Sequence, residues 1–326
     1  MRQAARHFVR YDADYYLILA GDHLYRMDYC ELVDAHIDRH GPTSPSPPSR
    51  WRSADASAMG IFRFDRAGQI VGLRREADRR PAGGDRPEHS AGATFGGHSS
   101  EKPFVASMGV YVFSRDVLFD VLQRGDATDF GREIIPSALA DYRVTSYLHR
   151  GYWADVGTVA SFYDANIMLT EPAAPFGFYD PRRPIYTHPR FLPGARFGGC
   201  SVRDSIVAEG CLMDEAQIDR SIIGIRTSVQ SGTSIRRSVL LGADFYETDD
   251  EAPARSSAPR LGIGRDVVLD RVIVDKNARI GDGVRLVNEA GLGHADGDGY
   301  CIRQGIIIVP KDAIVRAGNL GLAPYS

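Results

Sequence analysis

The chain is poor in cysteine, has little net charge and contains no long apolar run. Cys30, Cys200, Cys211 and Cys301 are scattered through 326 residues without a C-x-x-C pair. That speaks against a structural zinc site and against a disulfide framework, and four reduced thiols are expected. With a formal net charge of −3, bulk electrostatics give no case for nucleic acid or an anionic membrane as partner. No apolar stretch is long enough to span a bilayer and no signal peptide precedes the first strand, so a cytoplasmic protein is expected. The remaining composition, 43% hydrophobic and 25% charged, is ordinary for a globular protein. The length has room for two domains.

The most informative run is Tyr15-Tyr16-Leu17-Ile18-Leu19-Ala20-Gly21-Asp22-His23-Leu24-Tyr25-Arg26-Met27-Asp28-Tyr29. Its aromatic and branched start reads as a buried strand that stops at Gly21. Asp22 then stands at the strand's C-terminal end, where open α/β sheets bind ligands. A carboxylate there can hold a hard divalent cation or, equally, cap the next helix. A second such residue lies in Gly151-Tyr152-Trp153-Ala154-Asp155-Val156-Gly157-Thr158, a short aromatic strand ending in Asp-x-Gly before a helix-like run, Val159 to Leu169. Two carboxylates far apart in sequence can converge on one metal.

Strands alternate with helices from residue 1 to about 170, an α/β pattern. Residues 171–195 carry Pro172, Pro175, Pro181, Pro184, Pro189 and Pro193 and read as an extended linker. From 196 to 326 a short repeat takes over. Ile206, Leu212 and Ile218 are six apart, as are Ile223, Val229 and Ile235, and again Val268, Val274, Ile280 and Leu286. A hexapeptide period in short strands predicts a parallel β-helix, each branched residue buried against the turns above and below. Ala243 to Ala258 breaks the period and reads as a loop thrown out of the coil. Acyltransferases use the same repeat, but here it follows an α/β region of another kind.

The chain resembles the sugar-nucleotide pyrophosphorylases, most closely the glucose-1-phosphate adenylyltransferases. The resemblance rests on the Leu-Ala-Gly-Asp-His-Leu-Tyr-Arg-Met-Asp-Tyr run, on Ala106-Ser107-Met108-Gly109-Val110-Tyr111-Val112-Phe113, on Asp129-Phe130-Gly131-Arg132-Glu133-Ile134-Ile135-Pro136 and on the Gly-Tyr-Trp-Ala-Asp-Val-Gly-Thr block. Tyr179-Asp180-Pro181 and Pro184-Ile185-Tyr186-Thr187 continue it. It implies a Rossmann-like nucleotidyltransferase sheet followed by a left-handed parallel β-helix. It also implies a reaction of glycogen and starch biosynthesis in which ATP and glucose 1-phosphate become ADP-glucose and pyrophosphate.

By this resemblance Asp22 and Asp155 are catalytic and hold Mg²⁺. Ser107 donates to the sugar, Gly60 gives close backbone approach, and Tyr111, Asp129, Phe130 and Trp153 shape the glucose pocket. Read as residues alone, Tyr111 and Phe130 fit plain core packing, and Asp129 fits a helix cap. Lys276 and Lys311, in Asp275-Lys276-Asn277-Ala278-Arg279-Ile280-Gly281 and Val309-Pro310-Lys311-Asp312-Ala313, resemble segments that bind phosphorylated activators. They fit solvated surface equally well. A homotetramer or other homo-oligomer is implied, with neither nucleic acid nor membrane as partner.

The chain departs from the family in three places. No G-x-G-T-R-L loop is present, and Met1-Arg2-Gln3-Ala4 resembles the middle of the family's catalytic domain, so an N-terminally truncated chain, inactive as written, is expected. Gly41 to Arg52 carries Pro42, Pro45, Pro47 and Pro48 where the family has a buried strand, and proline does not serve in a central strand. Codons for Pro-Thr-Ser-Pro-Ser-Pro, read one base earlier, permit Ala-Asp-Ile-Thr-Val-Ala. From Leu73 to His89 the family's Glu-Lys-Pro motif is missing, yet Leu73-Arg74-Arg75-Glu76-Ala77 read one base later permits Phe-Asp-Glu-Lys-Pro. Two compensated frameshifts are the reading these coincidences suggest. A UTP- or GTP-dependent relative and a non-catalytic partner subunit are the alternatives.

Overall fold

A computed structural model describes residues 7–38, 48–51, 60–64, 70–75, 104–124, 129–142, 144–175, 177–247, 258–317 and 323–324. The chain divides into two compact units, Met1–Trp153 and Ala154–Ser326.

In the first unit β1 (Tyr15–Leu19) leads through a tight turn to β2 (His23–Tyr25) and α1 (Tyr29–Asp38). Then come β3 (Pro48–Trp51), β4 (Gly60–Phe64), β5 (Ile70–Arg75), β6 (Phe104–Ser107), β7 (Val110–Ser114), α2 (Arg115–Gln123) and α3 (Ile135–Asp141). Strand β8 (Trp153–Asp155) reaches across the division and pairs with β2, so it is described with this unit. β1 pairs antiparallel with β7, Leu19 opposite Val110 and Tyr15 opposite Ser114.

Successive residues of β7 face opposite sides, as the strand period requires. Val110 and Val112 bury with Leu32 of α1, Met108 and Trp153. Tyr111 and Phe113 bury with Val117, Leu118, Val121 and Leu122 of α2 and with Ile134, Ile135 and Ala138. The expectation that β1 is a buried strand needs correcting. Its middle residues are half-buried, while Tyr15 is 39% and Leu19 42% exposed. Among the described residues β1 has β7 alone as sheet partner.

A four-stranded sheet has the order β3-β6-β4-β5. Pro48 to Trp51 thus does form a strand, antiparallel to β6. Among the described residues it lies at the sheet's edge, where proline is tolerated. Leu73 to Arg75 closes β5. Pro42, Pro45 and Pro47, and the remainder of the Leu73–His89 stretch, lie outside the described residues.

The second unit opens with α4 (Val159–Met168), capped by Thr158, whose hydroxyl accepts from Ser161 N in a full capping box. Tyr163 and Ile167 of α4 bury against Val239, Ile273 and Ile306, and the Tyr163 hydroxyl donates to the Arg237 carbonyl at 2.5 Å. From residue 172 to 195 the described chain forms neither strand nor helix. A parallel β-helix with three sheets follows. One sheet stacks Ser201–Arg203, Gln217–Asp219, Ser234–Arg236, Val268–Asp270 and Arg285–Val287. The side chains of Ile218, Ile235, Leu269 and Leu286 register one above the next.

The six-residue spacing holds for Ile223, Val229 and Ile235 and for Val274, Ile280 and Leu286, all buried, and is corrected at Ile206, Leu212 and Val268. The inward set is Met213, Ile218, Ile223, Val229, Ile235, Leu240, Ile263, Leu269, Val274, Ile280 and Leu286, all buried. Its steps are five or six residues in no strict order, apart from the interruption between Leu240 and Ile263. Leu212 instead points outward at 42% exposure, and Ile206 and Val268 are only half-buried. The interruption after Ala243 leaves the ladder intact, because Val239 pairs directly with Ile273 across it. Its described end is tied back, Tyr246 Oη donating to the Gly210 carbonyl at 2.9 Å. The last coil is extended by an antiparallel hairpin, His294–Gly297 with Tyr300–Arg303. All four cysteines are free. No helix among the described residues is long and apolar enough to cross a membrane.

Candidate active site

Asp22 ends the turn after β1 and is followed by a strand rather than a helix, so it caps nothing. The cap belongs to Asp28, whose Oδ1 accepts from Cys30 N at 3.0 Å just as α1 begins. Asp155 likewise leaves the cap of α4 to Thr158. Its Oδ1 accepts from Gly157 N at 2.7 Å, which explains the Asp-x-Gly pattern as a side-chain turn. The β2–β8 pairing carries Asp155 toward the Asp22 turn. Asp22, His23 and Asp155 each offer one ligand atom, and these atoms lie within 4.8 Å of one another. Asp22 keeps 62% of its side chain exposed. An exposed carboxylate beside a half-buried one suits Mg²⁺, which keeps much of its hydration and takes few protein ligands. Sequence reasoning found both carboxylates but missed His23, whose signal was its place beside Asp22 at the same strand end.

The expected sugar residues form a second cluster. Ser107 Oγ and Tyr111 Oη are 3.1 Å apart, and Gly109 N donates to Ser107 Oγ at 3.2 Å. Tyr111 stacks on Phe130, centroids 6.2 Å apart and planes 22° from parallel. Burial first, and the Asp129 charge beside it, push the Tyr111 hydroxyl above its ordinary range, against the opposing hydrogen bond with Ser107. Tyr111 is therefore a neutral phenol at physiological pH. Asp129 precedes a wide π-type turn, Phe130–Ile134. Its carbonyl accepts from Glu133 N and Ile134 N, and its N–H donates to Glu133 Oε2 at 3.1 Å. Gly60 begins β4, one residue from Ile61, which registers with Ala106 beside Ser107.

Trp153 is placed elsewhere. It is 4% exposed in the cluster with Leu32, Met108, Val110 and Val112, on the face of β7 opposite Tyr111. Its neighbour toward the site is His23, edge to face at 4.9 Å.

Lys276 and Lys311 come together on one carboxylate in the β-helix. Lys276 Nζ is 2.8 Å from Asp244 Oδ1, and Lys311 Nζ is 3.5 Å from Asp244 Oδ2. Asn277 Nδ2 adds a bond at 3.2 Å. The Lys276 hydrogen bond first, then that of Asn277, draw the Asp244 carboxyl down to about 2.

Compared with known protein families, residues 1–171 match the family described as Nucleotidyl transferase, and residues 190–320 match the GLGC left-handed parallel beta-helix domain. The first match covers the α/β region that supplies both strand-terminal carboxylates and the Ser107–Tyr111 cluster. The second covers the stacked coils and gives them their hand. Fold and order of domains agree, and the chain belongs to the nucleotidyl transferase family, its α/β domain followed by a left-handed parallel β-helix.

Proposed function

We propose that this protein is a glucose-1-phosphate adenylyltransferase, joining ATP and glucose 1-phosphate into ADP-glucose and pyrophosphate with Mg²⁺. The observation that carries the reading is a cation-competent cluster, Asp22–His23–Asp155, in a nucleotidyl transferase domain joined to a β-helix of the GLGC type. A sugar-phosphate oxygen attacks the α-phosphorus of ATP while the bond to the leaving pyrophosphate breaks in line. Such a reaction needs positioning and charge neutralisation, with no covalent enzyme intermediate. Asp22 and Asp155 would hold the cation, which supplies positive charge to the phosphates when bound. Ser107 and neutral Tyr111 orient the sugar hydroxyls, Asp129 and Phe130 complete that wall, and Gly60 lets the backbone come close. Trp153 supports the site from below by packing on His23.

Lys276 and Lys311 are assigned to an anionic effector, since two ammonium groups converging on one position suit a phosphate. Free thiols and soluble substrates suit a cytoplasmic enzyme, and a homotetramer or other homo-oligomer is the assembly proposed. The test is pyrophosphate release from glucose 1-phosphate with ATP, UTP or GTP and Mg²⁺. Preference for ATP supports the assignment. Preference for UTP or GTP replaces it with another sugar-1-phosphate nucleotidyltransferase. Cation binding without turnover on any nucleotide replaces it with a partner subunit.

A further inference from the structure

His23 is held more tightly than a surface residue beside a carboxylate needs to be. Only 10% of its side chain is exposed. Trp153 meets the ring edge to face, with the planes 78° apart. On another side lies Gly109, whose φ is +66°. A Cβ on Gly109 would stand 2.9 Å from His23 Cε1 and 3.0 Å from the Ala20 Cβ. Glycine is therefore required there twice, for the left-handed turn and for the space the imidazole fills. The clamp gives the ring one orientation. Nε2 lies 3.5 Å from Asp22 Oδ1, and Nδ1 is buried with no hydrogen-bond partner.

That asymmetry decides between two roles. Ligating a cation through Nε2 puts the ring proton on Nδ1, leaving a buried N–H donor with no acceptor. Metal-ligating histidines almost always give that N–H to a carboxylate, carbonyl or water. The other tautomer puts the proton on Nε2, on the side of the Asp22 carboxylate 3.5 Å away, and leaves only a lone pair at Nδ1. Unpaired buried acceptors are tolerated better than unpaired buried donors. We infer that His23 is a positioning residue for Asp22: its Nε2–H holds one carboxylate oxygen and turns the other toward the cation. The inference rests on the cation-site reading above and adds the group that aims it.

The test uses Mn²⁺ as probe on the full chain, with affinity from the electron paramagnetic resonance of the free ion. Electron spin-echo spectroscopy of the bound ion reports any directly bound nitrogen. His23→Gln keeps an N–H near the Nε2 position, His23→Asn moves it to the Nδ1 position, and His23→Phe keeps only the ring. Binding should weaken about 10-fold in His23→Asn and His23→Phe and stay within about 3-fold of the parent in His23→Gln. The parent should show no nitrogen coupling. A bound-nitrogen signal in the parent, or equal affinities in all three variants, overturns the inference. If His23→Phe does not fold, the Gln and Asn pair still decides. Asp22→Asn separates the two layers. Loss of binding there with unchanged His23 variants overturns this inference alone, whereas a parent that binds no Mn²⁺ removes the cation site and the inference together.

Discussion

Leu269→Ala should destabilise the β-helix far more than Leu212→Ala, although a strict six-residue period from Ile206 would bury Leu212. Leu269 is fully buried and registers between Ile235 and Leu286. Truncation to alanine removes three carbons, at about 0.8 kcal/mol each, or roughly 2.4 kcal/mol of transfer free energy. The void adds to this, because each coil touches only its neighbours and the flanking side chains cannot close a gap fixed by backbone ladders on three sides. About 3–4 kcal/mol is expected in all. Leu212, 42% exposed, should cost under about 1 kcal/mol. Urea unfolding of the full chain, followed by the β signal in circular dichroism, gives both values. With a slope of about 2 kcal/mol/M, the first variant loses roughly 1.5–2 M in midpoint and the second under about 0.5 M. Equal losses would refute the five-and-six phase of the coil.

Asp155→Asn should abolish most Mg²⁺-dependent turnover without unfolding the chain, since the amide oxygen can still accept from Gly157 N; unchanged Mg²⁺ dependence of pyrophosphate release would reduce Asp155 to a turn residue. Tyr111→Phe removes the bond with Ser107 and should raise KM for the sugar phosphate more than it lowers kcat, measured by initial rates. Asp244→Asn probes the lysine pair by pH. The folded Asp244 carboxyl sits at about 2, below its unfolded value of about 3.9. Its contribution is therefore present above pH ~4 and lost as pH falls toward 2. Urea midpoints of parent and variant, measured at a series of pH values, should differ above that window and converge within it, and a gap that widens toward pH 2 contradicts the pairing.

Much of this was legible in the sequence because it depends on local periodicity. The Tyr15–Leu19 and Val110–Ser114 strands follow from composition. The coil follows from its short repeat. Its phase did not, because Leu212 and Met213, and Val267, Val268 and Leu269, are adjacent apolar residues that serve either register. Packing chose Met213 and Leu269. Asp22 and Asp155 were legible as paired strand ends. Trp153 was not, since its place depends on which face of β7 it meets, and a single strand's alternation does not say which face carries which site. His23 was hidden for a related reason: its clamp is built by Gly109 and Trp153, each more than eighty residues away. Lys276 and Lys311 met because their stretches are stacked, Asp312 N donating to the Lys276 carbonyl.

Strand β7 sets the Trp153 cluster and the Ser107–Tyr111 cluster back to back through a partition one backbone thick. Val112 presses on the wall that holds Trp153, and Tyr111 hangs from the same backbone on the other side. The turn that begins the strand is shared too, since Gly109 takes Ser107 Oγ on its N–H and makes room for His23. Neither wall can be retuned alone. A bulkier residue at Val112 would shift the strand, and the sugar cluster with it. On the proposed assignment, substitutions selected for sugar preference should reappear as side effects on cation affinity, and the reverse.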